Sequence, residues 1–279
     1  MNRAIGVDVG GTKVAAGVVD VASGEVLRLL EEPTQPGRGG RSVLELCGRL
    51  TAELNSADLN GAGLDGPGLN GAGLPVGIGL CELVSRHGRV ASGVTVDWRG
   101  LDVEAALGPV TLESDVRAAA LAEARFGAGQ GRDNFLYLNI GTGVSHTLVL
   151  GGEPYAGADG YAIMVGAPPI ELTASGAALS SAAGADTRSV LADAAHEDLV
   201  RSTGESLGQA LAFLIHALNP GAVIVGGGLG LNPSYRSRIA AAARANLSVN
   251  EVAETPVLVA ELGTSAGVVG AALAAKPRG

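Results

Sequence analysis

Residues 4–20 constrain the fold more than any other stretch. They read as two apolar strands joined by a tight turn of small residues, AIGVDVGGTKVAAGVVD. Asp8 is the one carboxylate before the turn, and Gly10, Gly11 and Thr12 form the turn itself. Glycine can adopt backbone angles closed to other residues, so we expect the amides of Gly10 and Gly11 to approach a ligand closely. A row of amides beside a hydroxyl favours anions; an ordinary glycine hairpin is the alternative.

Two familiar phosphate motifs do not fit this stretch. No G-x-x-x-x-G-K-[S/T] run precedes a helix, as a P-loop requires. The residues after the turn are β-branched and apolar rather than the start of a helix, which excludes the dinucleotide fingerprint. The pattern therefore predicts a different phosphate site, built on a hairpin.

Composition limits the remaining classes. At 279 residues, the chain has room for two modest domains or one large one. Hydrophobic residues make up 47% and aromatic residues only 3%, which suits an α/β protein with covered sheets. The net charge of −9 argues against a nucleic-acid partner. Cys47 and Cys81 have no spacing typical of zinc sites or disulfides, and we expect both to be buried apolar residues.

The sequence offers no membrane or export signal. No apolar run approaches the roughly 18 residues of a membrane-spanning helix. The first predicted strand leaves no room for a signal peptide, so we expect a cytoplasmic protein.

Hydrophobic runs and periodicity predict an alternation of strands and helices. After the hairpin, strands are expected at 25–32, 75–80, 109–112, 134–140, 144–150, 222–225 and 256–260. Helices are expected at 42–55, 116–126, 235–246 and 265–275, with a mostly helical region at 175–217 and a glycine-rich surface loop at 60–74. The pattern repeats twice, which predicts two similar lobes with a cleft between them, residues 1–112 and 113–279.

Three glycine turns end apolar strands: the hairpin turn, Gly141-Thr142-Gly143 and Gly226-Gly227-Gly228. Together they suit a nucleotide held between two lobes, with base and ribose against the bare backbone of the third turn. Three unrelated turns are the alternative.

Asp115 follows a predicted strand and precedes a helix. Either Ser114 or Asp115 is expected to cap that helix, because short polar side chains accept from its first amides. The sharper hypothesis makes Asp115 the base that a phosphoryl-transfer enzyme needs to deprotonate an attacking hydroxyl.

The order of these motifs resembles the ROK family of sugar kinases. The resemblance rests on Asp8-x-Gly-Gly-Thr-Lys, Ser114-Asp115-x-x-Ala-Ala-x-Leu-Ala-Glu, Gly141-Thr142-Gly143, Asn219-Pro220-x5-Gly226-Gly227-Gly228 and Ala266-Gly267-Val268-Val269-Gly270-Ala271-Ala272. It implies an α/β fold of the two-lobed, actin-like (ribonuclease H-like) ATPase type, with MgATP and substrate in the cleft.

The resemblance also implies roles for individual residues. Asp115 is the expected catalytic base, and Asp8 is expected to hold magnesium through water. Phosphates and adenosine are expected to contact the glycine turns: Gly10, Gly11, Thr12, Lys13, Gly141, Thr142, Gly143, Gly226, Gly227 and Gly228. The N-terminal lobe would carry the first phosphate turn and part of the substrate site. Whether the C-terminal helix packs on this lobe is left open. The C-terminal lobe would carry the second turn and the adenosine pocket.

Departures from the family pattern fall on the acceptor side. The family usually has Asn-Asp where this chain has Ser114-Asp115, and Gly-Glu-x-Gly-His where it has Gly157-Ala158-Asp159-Gly160-Tyr161. The cysteine-rich zinc loop is missing: no Cys or His lies between Tyr161 and Glu171, so no zinc site is expected. The substrate-binding candidates are Ser114, Asp115, Asp97, Trp98, Asp159, Tyr161 and Glu171. Each except Asp115 has an ordinary structural alternative, and for Trp98 it is packing.

These observations predict an ATP- and magnesium-dependent kinase for a hydroxyl of a sugar-like molecule. The altered acceptor residues favour a C7-cyclitol or a modified sugar of secondary metabolism such as antibiotic biosynthesis; a glucokinase-like hexose kinase is the alternative. A non-catalytic regulator or sugar sensor is disfavoured because no helix-turn-helix precedes the first strand, and a degenerate kinase because Asp115 is retained. The family resemblance also suggests a homodimer.

Overall fold

The computed structural model describes residues 2–56, 73–163 and 170–275. Most of the glycine-rich 60–74 segment lies outside the described residues. Within the described ranges no helix is long and apolar enough to cross a membrane. The chain divides into two units: residues 1–122, 156–161 and 265–279 belong to the first, and residues 123–155 and 162–264 to the second. The predicted lobe boundary at 112 and 113 stays a prediction.

The described elements alternate as the periodicity predicted. The strands are β1 Arg3–Val9, β2 Lys13–Asp20, β3 Val26–Pro33, β4 Val76–Leu80, β5 Thr111–Ser114, β6 Asn134–Ile140, β7 Val144–Leu150, β8 Glu153–Pro154, β9 Val223–Gly226 and β10 Val257–Val259. The helices are α1 Gly40–Ser56, α2 Val103–Leu107, α3 Asp115–Phe126, α4 Ile170–Ala174, α5 Gly176–Ala183, α6 Thr187–Ala192, α7 Glu197–Leu218, α8 Pro233–Ala245, α9 Asn250–Ala253 and α10 Ala266–Ala274.

The two sheets share one topology. In the first unit the strand order is β3-β2-β1-β4-β5, and in the second it is β10-β9-β6-β7-β8. In each, three consecutive strands form an antiparallel meander, and two later strands add in parallel beside the first strand of the meander. The predicted twofold repeat of the strand pattern is therefore confirmed at the level of the sheets.

Helix α10 packs directly on the first sheet through glycines. A Cβ built on Gly6 of β1 would lie 1.8 Å from the Val268 oxygen, and one on Gly77 of β4 would lie 1.9 Å from the Ala271 oxygen. On the helix itself, a Cβ on Gly270 would lie 1.7 Å from the Ala118 oxygen of α3. Because real Cβ contacts are never this short, glycine alone permits these backbones to touch.

Aliphatic residues make up most of the core of the second unit, although Phe135, Tyr137 and Tyr235 are also fully buried there. Leu207, Leu211 and Ile215 form the buried face of α7 and pack in one cluster with residues of β6 and β9. Asn219 ends α7 in the left-handed conformation, with φ 44°, and its amide donates to the Ile215 oxygen. The chain can then turn into β9, where the last glycine turn begins.

Candidate functional site

The turn between β1 and β2 is closed by its own backbone. The Gly10 amide donates to the Lys13 oxygen at 3.0 Å, and the Thr34 hydroxyl donates to the Gly10 oxygen at 2.6 Å. Neither Gly10 nor Gly11 has a φ in the left-handed region. The expected close approach of their amides to a ligand stays a prediction. Thr12 is exposed at the tip of the turn.

Lys13 and Asp8 flank this turn, and their side chains contact different elements. Lys13 forms an ion pair with Glu31 of the neighbouring β3, so its ammonium is engaged beside the sheet. Asp8 lies one residue before the end of β1, and a Cβ on Gly267 at the start of α10 would come within 2.4 Å of its carboxyl group. The Asp8 carboxyl thus lies against the first turn of a helix, where the helix dipole favours negative charge.

Asp115 is brought next to Asp8 by the register of the parallel strands. Asp8 pairs with Gly79 of β4, and a Cβ on Gly79 would lie 3.5 Å from the Asp115 Cα. Asp115 is the first residue of α3, and its Oδ1 accepts from the Val116 amide at 2.7 Å. The predicted base and the predicted magnesium ligand therefore lie on neighbouring elements of one unit.

Burial outweighs the favourable groups around both carboxyls and disfavours their ionised forms. Burial, with the negative charges of Asp8 and Glu82, raises the pKa of Asp115 from 3.8 to about 7, against the opposing effects of the Val116 amide and the Arg117 guanidinium. Burial also raises the pKa of Asp8 to about 6, although the Lys13 ammonium opposes this. A carboxyl with a pKa near the working pH can both accept and return a proton.

Ser114 is fully buried, and its hydroxyl is engaged by the protein. It donates to the Glu82 oxygen at 3.2 Å and accepts from the Val84 amide at 3.3 Å. It therefore links the end of β5 to the loop after β4 rather than capping α3. Its role as a substrate ligand stays a prediction.

Glu82 is a functional candidate that the sequence interpretation missed. It is 5% exposed, and its carboxylate accepts hydrogen bonds from the Ser92 hydroxyl and from the amides of Val94, Thr95 and Val96. Successive amides aimed at one anion form a nest. Glu82 thus shapes the loop that leads to Asp97.

Asp97 and Trp98 are placed differently from one another. Asp97 is exposed and paired with Arg99, whose hydrogen bonds lower the pKa of Asp97 to about 2. Trp98 is 1% exposed and belongs to the hydrophobic core of the first unit, which favours the packing alternative. Their substrate roles stay predictions.

Residues 156–161 carry Asp159 and Tyr161 and belong to the first unit. The Asp159 oxygen accepts from the Arg86 amide at 3.1 Å, and the Gly160 oxygen accepts from the buried Arg117 guanidinium. Both the Asp159 and Tyr161 side chains are exposed. The backbone therefore anchors this segment while these two side chains stay accessible.

The second and third glycine turns meet at the end of β6 in the second unit. The Gly141 amide donates to the Gly143 oxygen at 2.9 Å, while the amides of Leu229 and Gly230 both donate to the Ile140 oxygen. Gly227 has φ 79° and lies so close to β6 that a Cβ would be 2.5 Å from the Ile140 oxygen.

Helix α5 packs against the second turn. The amides of Gly176 and Ala177 donate to the oxygens of Gly141 and Thr142. The first amides of this helix are therefore occupied by the protein, and so is the Gly141 amide, which bonds to the Gly143 oxygen.

At two glycines of these turns, neither the backbone conformation nor the packing of the protein requires glycine. A Cβ on Gly141 or on Gly228 would meet no described atom within 4 Å, and neither residue has a left-handed φ. Gly226 differs, because a Cβ there would lie 2.1 Å from the Tyr137 hydroxyl. Open space over Gly141 and Gly228 is what a ligand lying against bare backbone requires.

Comparison with known proteins identifies the family. The model of the ROK family matches residues 69–278, which is most of the chain. The chain belongs to the ROK family.

Solved ROK structures have the same fold. The crystal structure of a ROK glucokinase from Streptomyces griseus in complex with glucose and AMPPNP is 28% identical, covers 98% of this chain and 99% of that one, and superposes with a TM-score of 0.82. The ROK hexokinase of Thermus thermophilus is 32% identical, covers 98% and 97% of the two chains, and gives a TM-score of 0.73. The predicted α/β fold class of the actin-like ATPases is confirmed.

Among curated sequences, the bifunctional enzyme NanE/NanK of Brucella melitensis is 33% identical over 193 residues. This match covers 62% of the present chain and 36% of that enzyme. A glucokinase of Streptomyces coelicolor is 32% identical over 60% of this chain and 49% of its own length. The chain thus spans about half or less of the length of these curated ROK relatives.

The remaining predicted site residue of this ROK protein is Glu171. It lies in the short helix α4, and its side chain is outside the part of the chain that the structure describes. Among the described residues, no group of three or more His, Cys, Asp or Glu side chains is arranged to hold a metal ion. The expectation that zinc is not bound stays a prediction.

Proposed function

We propose that the protein is an ATP-dependent kinase that transfers a phosphoryl group to a hydroxyl of a sugar or sugar-like cyclitol. The juxtaposition of Asp115 and Asp8 across Gly79 is the observation that carries the proposal. ROK membership and the likeness to a glucokinase that binds glucose and AMPPNP support it.

In this proposal Asp115 is the general base. Its raised pKa of about 7 suits the role, because a base of this strength is substantially ionised at neutral pH and still accepts a proton from a hydroxyl that attacks phosphorus. Positioning and electrostatic stabilisation supply most of the acceleration in phosphoryl transfer. Asp115 therefore orients the acceptor hydroxyl and takes its proton as the bond to the γ-phosphorus forms, while the bond from that phosphorus to the β-γ bridging oxygen breaks and ADP leaves.

Each unit carries glycine turns that we propose as its own contacts to the donor. Gly10, Gly11, Thr12 and Lys13 would contact phosphates from the first unit. From the second unit, Gly141, Thr142 and Gly143 would contact phosphates, and Gly226, Gly227 and Gly228 would line the adenosine. The open faces of Gly141 and Gly228 support these contacts.

Asp8 fits a role in holding magnesium. Mg²⁺ is commonly bound by one or two carboxylates together with phosphate oxygens and water, so a single partly exposed carboxyl suffices. Magnesium would supply charge neutralisation on the transferring group. Asp8 would orient it through a bound water.

The acceptor is proposed to contact Asp97, Asp159, Tyr161 and Glu171, while the buried Ser114 and Trp98 are the less favoured candidates. Asp159 and Tyr161 have the most favourable placement, since both side chains are exposed on an anchored backbone. Ala158 stands where the family has Glu and Tyr161 where it has His, while Asp159 offers a carboxylate one residue after the Glu position, so the hydrogen-bonding pattern is altered. We therefore favour a cyclitol with an exocyclic hydroxymethyl group over glucose, and a homodimer as the assembly.

An ADP-release assay with MgATP tests this proposal. Glucose, N-acetylmannosamine and a hydroxymethyl C7-cyclitol serve as acceptors, and the Asp115→Asn variant is the control for contaminating kinases. The proposal predicts turnover of at least one acceptor by the wild type, fastest on the cyclitol. Strong turnover of glucose with none of the cyclitol would overturn the substrate preference, and no turnover of any acceptor in a broad panel would overturn the kinase activity.

A further inference from the structure

Arg117 is a buried cation that the proposed reaction does not use directly. It lies two residues after Asp115 on α3 and is only 3% exposed. A buried guanidinium is costly unless its donors are satisfied. The groups that satisfy it come from three separate segments of the first unit.

The first segment is β5, where Glu113 pairs with the guanidinium, including a bond of 2.6 Å from Nε. The second is the loop after β4, where the Val84 oxygen accepts from Nη2 at 2.8 Å. The third is the 156–161 segment, where the Gly160 oxygen accepts from Nη1. The planar fork of arginine can serve several acceptors in fixed directions, which a lysine ammonium cannot reproduce.

The contact at Gly160 is made tight by the neighbouring loop. Gly160 has φ 99°, and a Cβ there would lie 2.4 Å from the Arg86 amide nitrogen and 2.7 Å from the Ser85 carbonyl carbon. The Arg86 amide donates to the Asp159 oxygen at 3.1 Å, and its guanidinium to the Ala158 oxygen at 3.2 Å. The backbone of this segment therefore has a single close-fitting position on the loop.

We propose that Arg117 is a positioning residue that fixes Asp159 and Tyr161 relative to Asp115, and thereby sets the affinity for the acceptor. This inference rests on the proposed function, in which Asp159 and Tyr161 contact the acceptor. Because Arg117 and Asp115 share the first turn of one helix, the acceptor-side segment and the base are anchored to the same turn. Such anchoring raises the reaction rate by holding the reacting groups in the right orientation, and small misplacements lower the rate strongly.

Three variants and one matched control test the inference. Arg117→Met removes all donors, Arg117→Lys keeps the charge but not the fork, and Gly160→Ala disturbs the same contact from the other side. Arg125→Met is the control, since Arg125 lies on the same helix in an exposed pair with Glu153. The KM for the best acceptor of the ADP-release panel and the KM for MgATP are measured for each variant, together with backbone exchange of the Arg86 amide.

The inference predicts that Arg117→Met and Gly160→Ala raise the acceptor KM about tenfold or more, with the MgATP KM within about twofold of wild type. The Arg86 amide should exchange faster in both variants, and Arg117→Lys should fall between them and wild type. The Arg125→Met control should match wild type throughout.

Equal changes in both KM values would overturn the inference. An unchanged acceptor KM with faster exchange of the Arg86 amide would also overturn it, since Arg117 would then only stabilise the structure. If Arg117→Met does not fold, Gly160→Ala and Arg117→Lys decide by the same criteria. Failure of the wild type to phosphorylate any acceptor would instead refute the proposed function, while the exchange of the Arg86 amide would still report whether Arg117 anchors the segment.

Discussion

Replacing Asp115 with Asn should stabilise the protein, and the gain should grow with pH. The folded protein holds the Asp115 proton more tightly than the unfolded chain, because the folded pKa is about 7 and the unfolded value is 3.8. Between these values the folded state binds more protons, so stability falls as the pH rises. The side-chain amide of the Asp115→Asn variant does not titrate and avoids this loss.

The size of the effect follows from the two pKa values. The penalty removed by Asp115→Asn is about 4 kcal/mol at pH 8 and about 2 kcal/mol at pH 5. The oxygen of the introduced amide can still accept from the Val116 amide, so the helix start is preserved. Urea denaturation at both pH values measures the difference between variant and wild type.

Asp97→Asn is the matched control. Its hydrogen bonds with Arg99 lower the pKa of Asp97 to about 2, so the ionised carboxylate stabilises the folded state above the unfolded pKa. This variant should lose stability at pH 8, the opposite sign. A difference between Asp115→Asn and wild type that is the same at pH 5 and pH 8 would refute the reasoning about burial and the Asp8 charge.

Three further predictions concern the same unit. With MgATP limiting, kcat/KM should fall about tenfold per pH unit below pH 7, and more steeply below pH 6, where Asp8 also protonates. A pH profile of kcat/KM that is flat down to pH 5 would exclude Asp115 as the base. Gly270→Ala should lower the free energy of unfolding, measured in urea, by about 2 kcal/mol or more, since its Cβ would lie 1.7 Å from the Ala118 oxygen. The control Gly37→Ala should change the free energy of unfolding little, because the space around Gly37 is open. Glu82→Gln should cost about 1–3 kcal/mol by the same measurement, because the charge-assisted bonds to the amides at 94–96 weaken; a loss no larger than that of exposed Glu53→Gln would contradict the role of the nest.

Local patterns were sufficient to predict most of the fold. The hairpin at 4–20 and the pair of strands at 134–150 were predicted because apolar runs there are long and their turns are short. Strand β5 was expected at 109–112 but lies at Thr111–Ser114, since its register is set by pairing of Ser114 with Leu80 of the distant β4. Long-range pairing is invisible in a local pattern.

The candidate site was predictable only in part. Asp8 and Asp115 follow from motif positions at strand ends, and the structure brings them together. Glu82 and Arg117 were missed because, apart from Glu113, the groups that satisfy each charge lie 10 to 43 residues away, which no spacing reveals. A charged residue at the end of an apolar run, as at Glu82 two residues after β4, is the one local signal that was available.

The most direct test of the account is single-turnover phosphoryl transfer by Asp115→Asn, with MgATP and the best acceptor prebound. We predict a loss of about 10²-fold or more in the rate of the chemical step, in a variant that unfolds no more readily than wild type at pH 8. A loss of less than about 10²-fold would contradict the assignment of Asp115 as the general base.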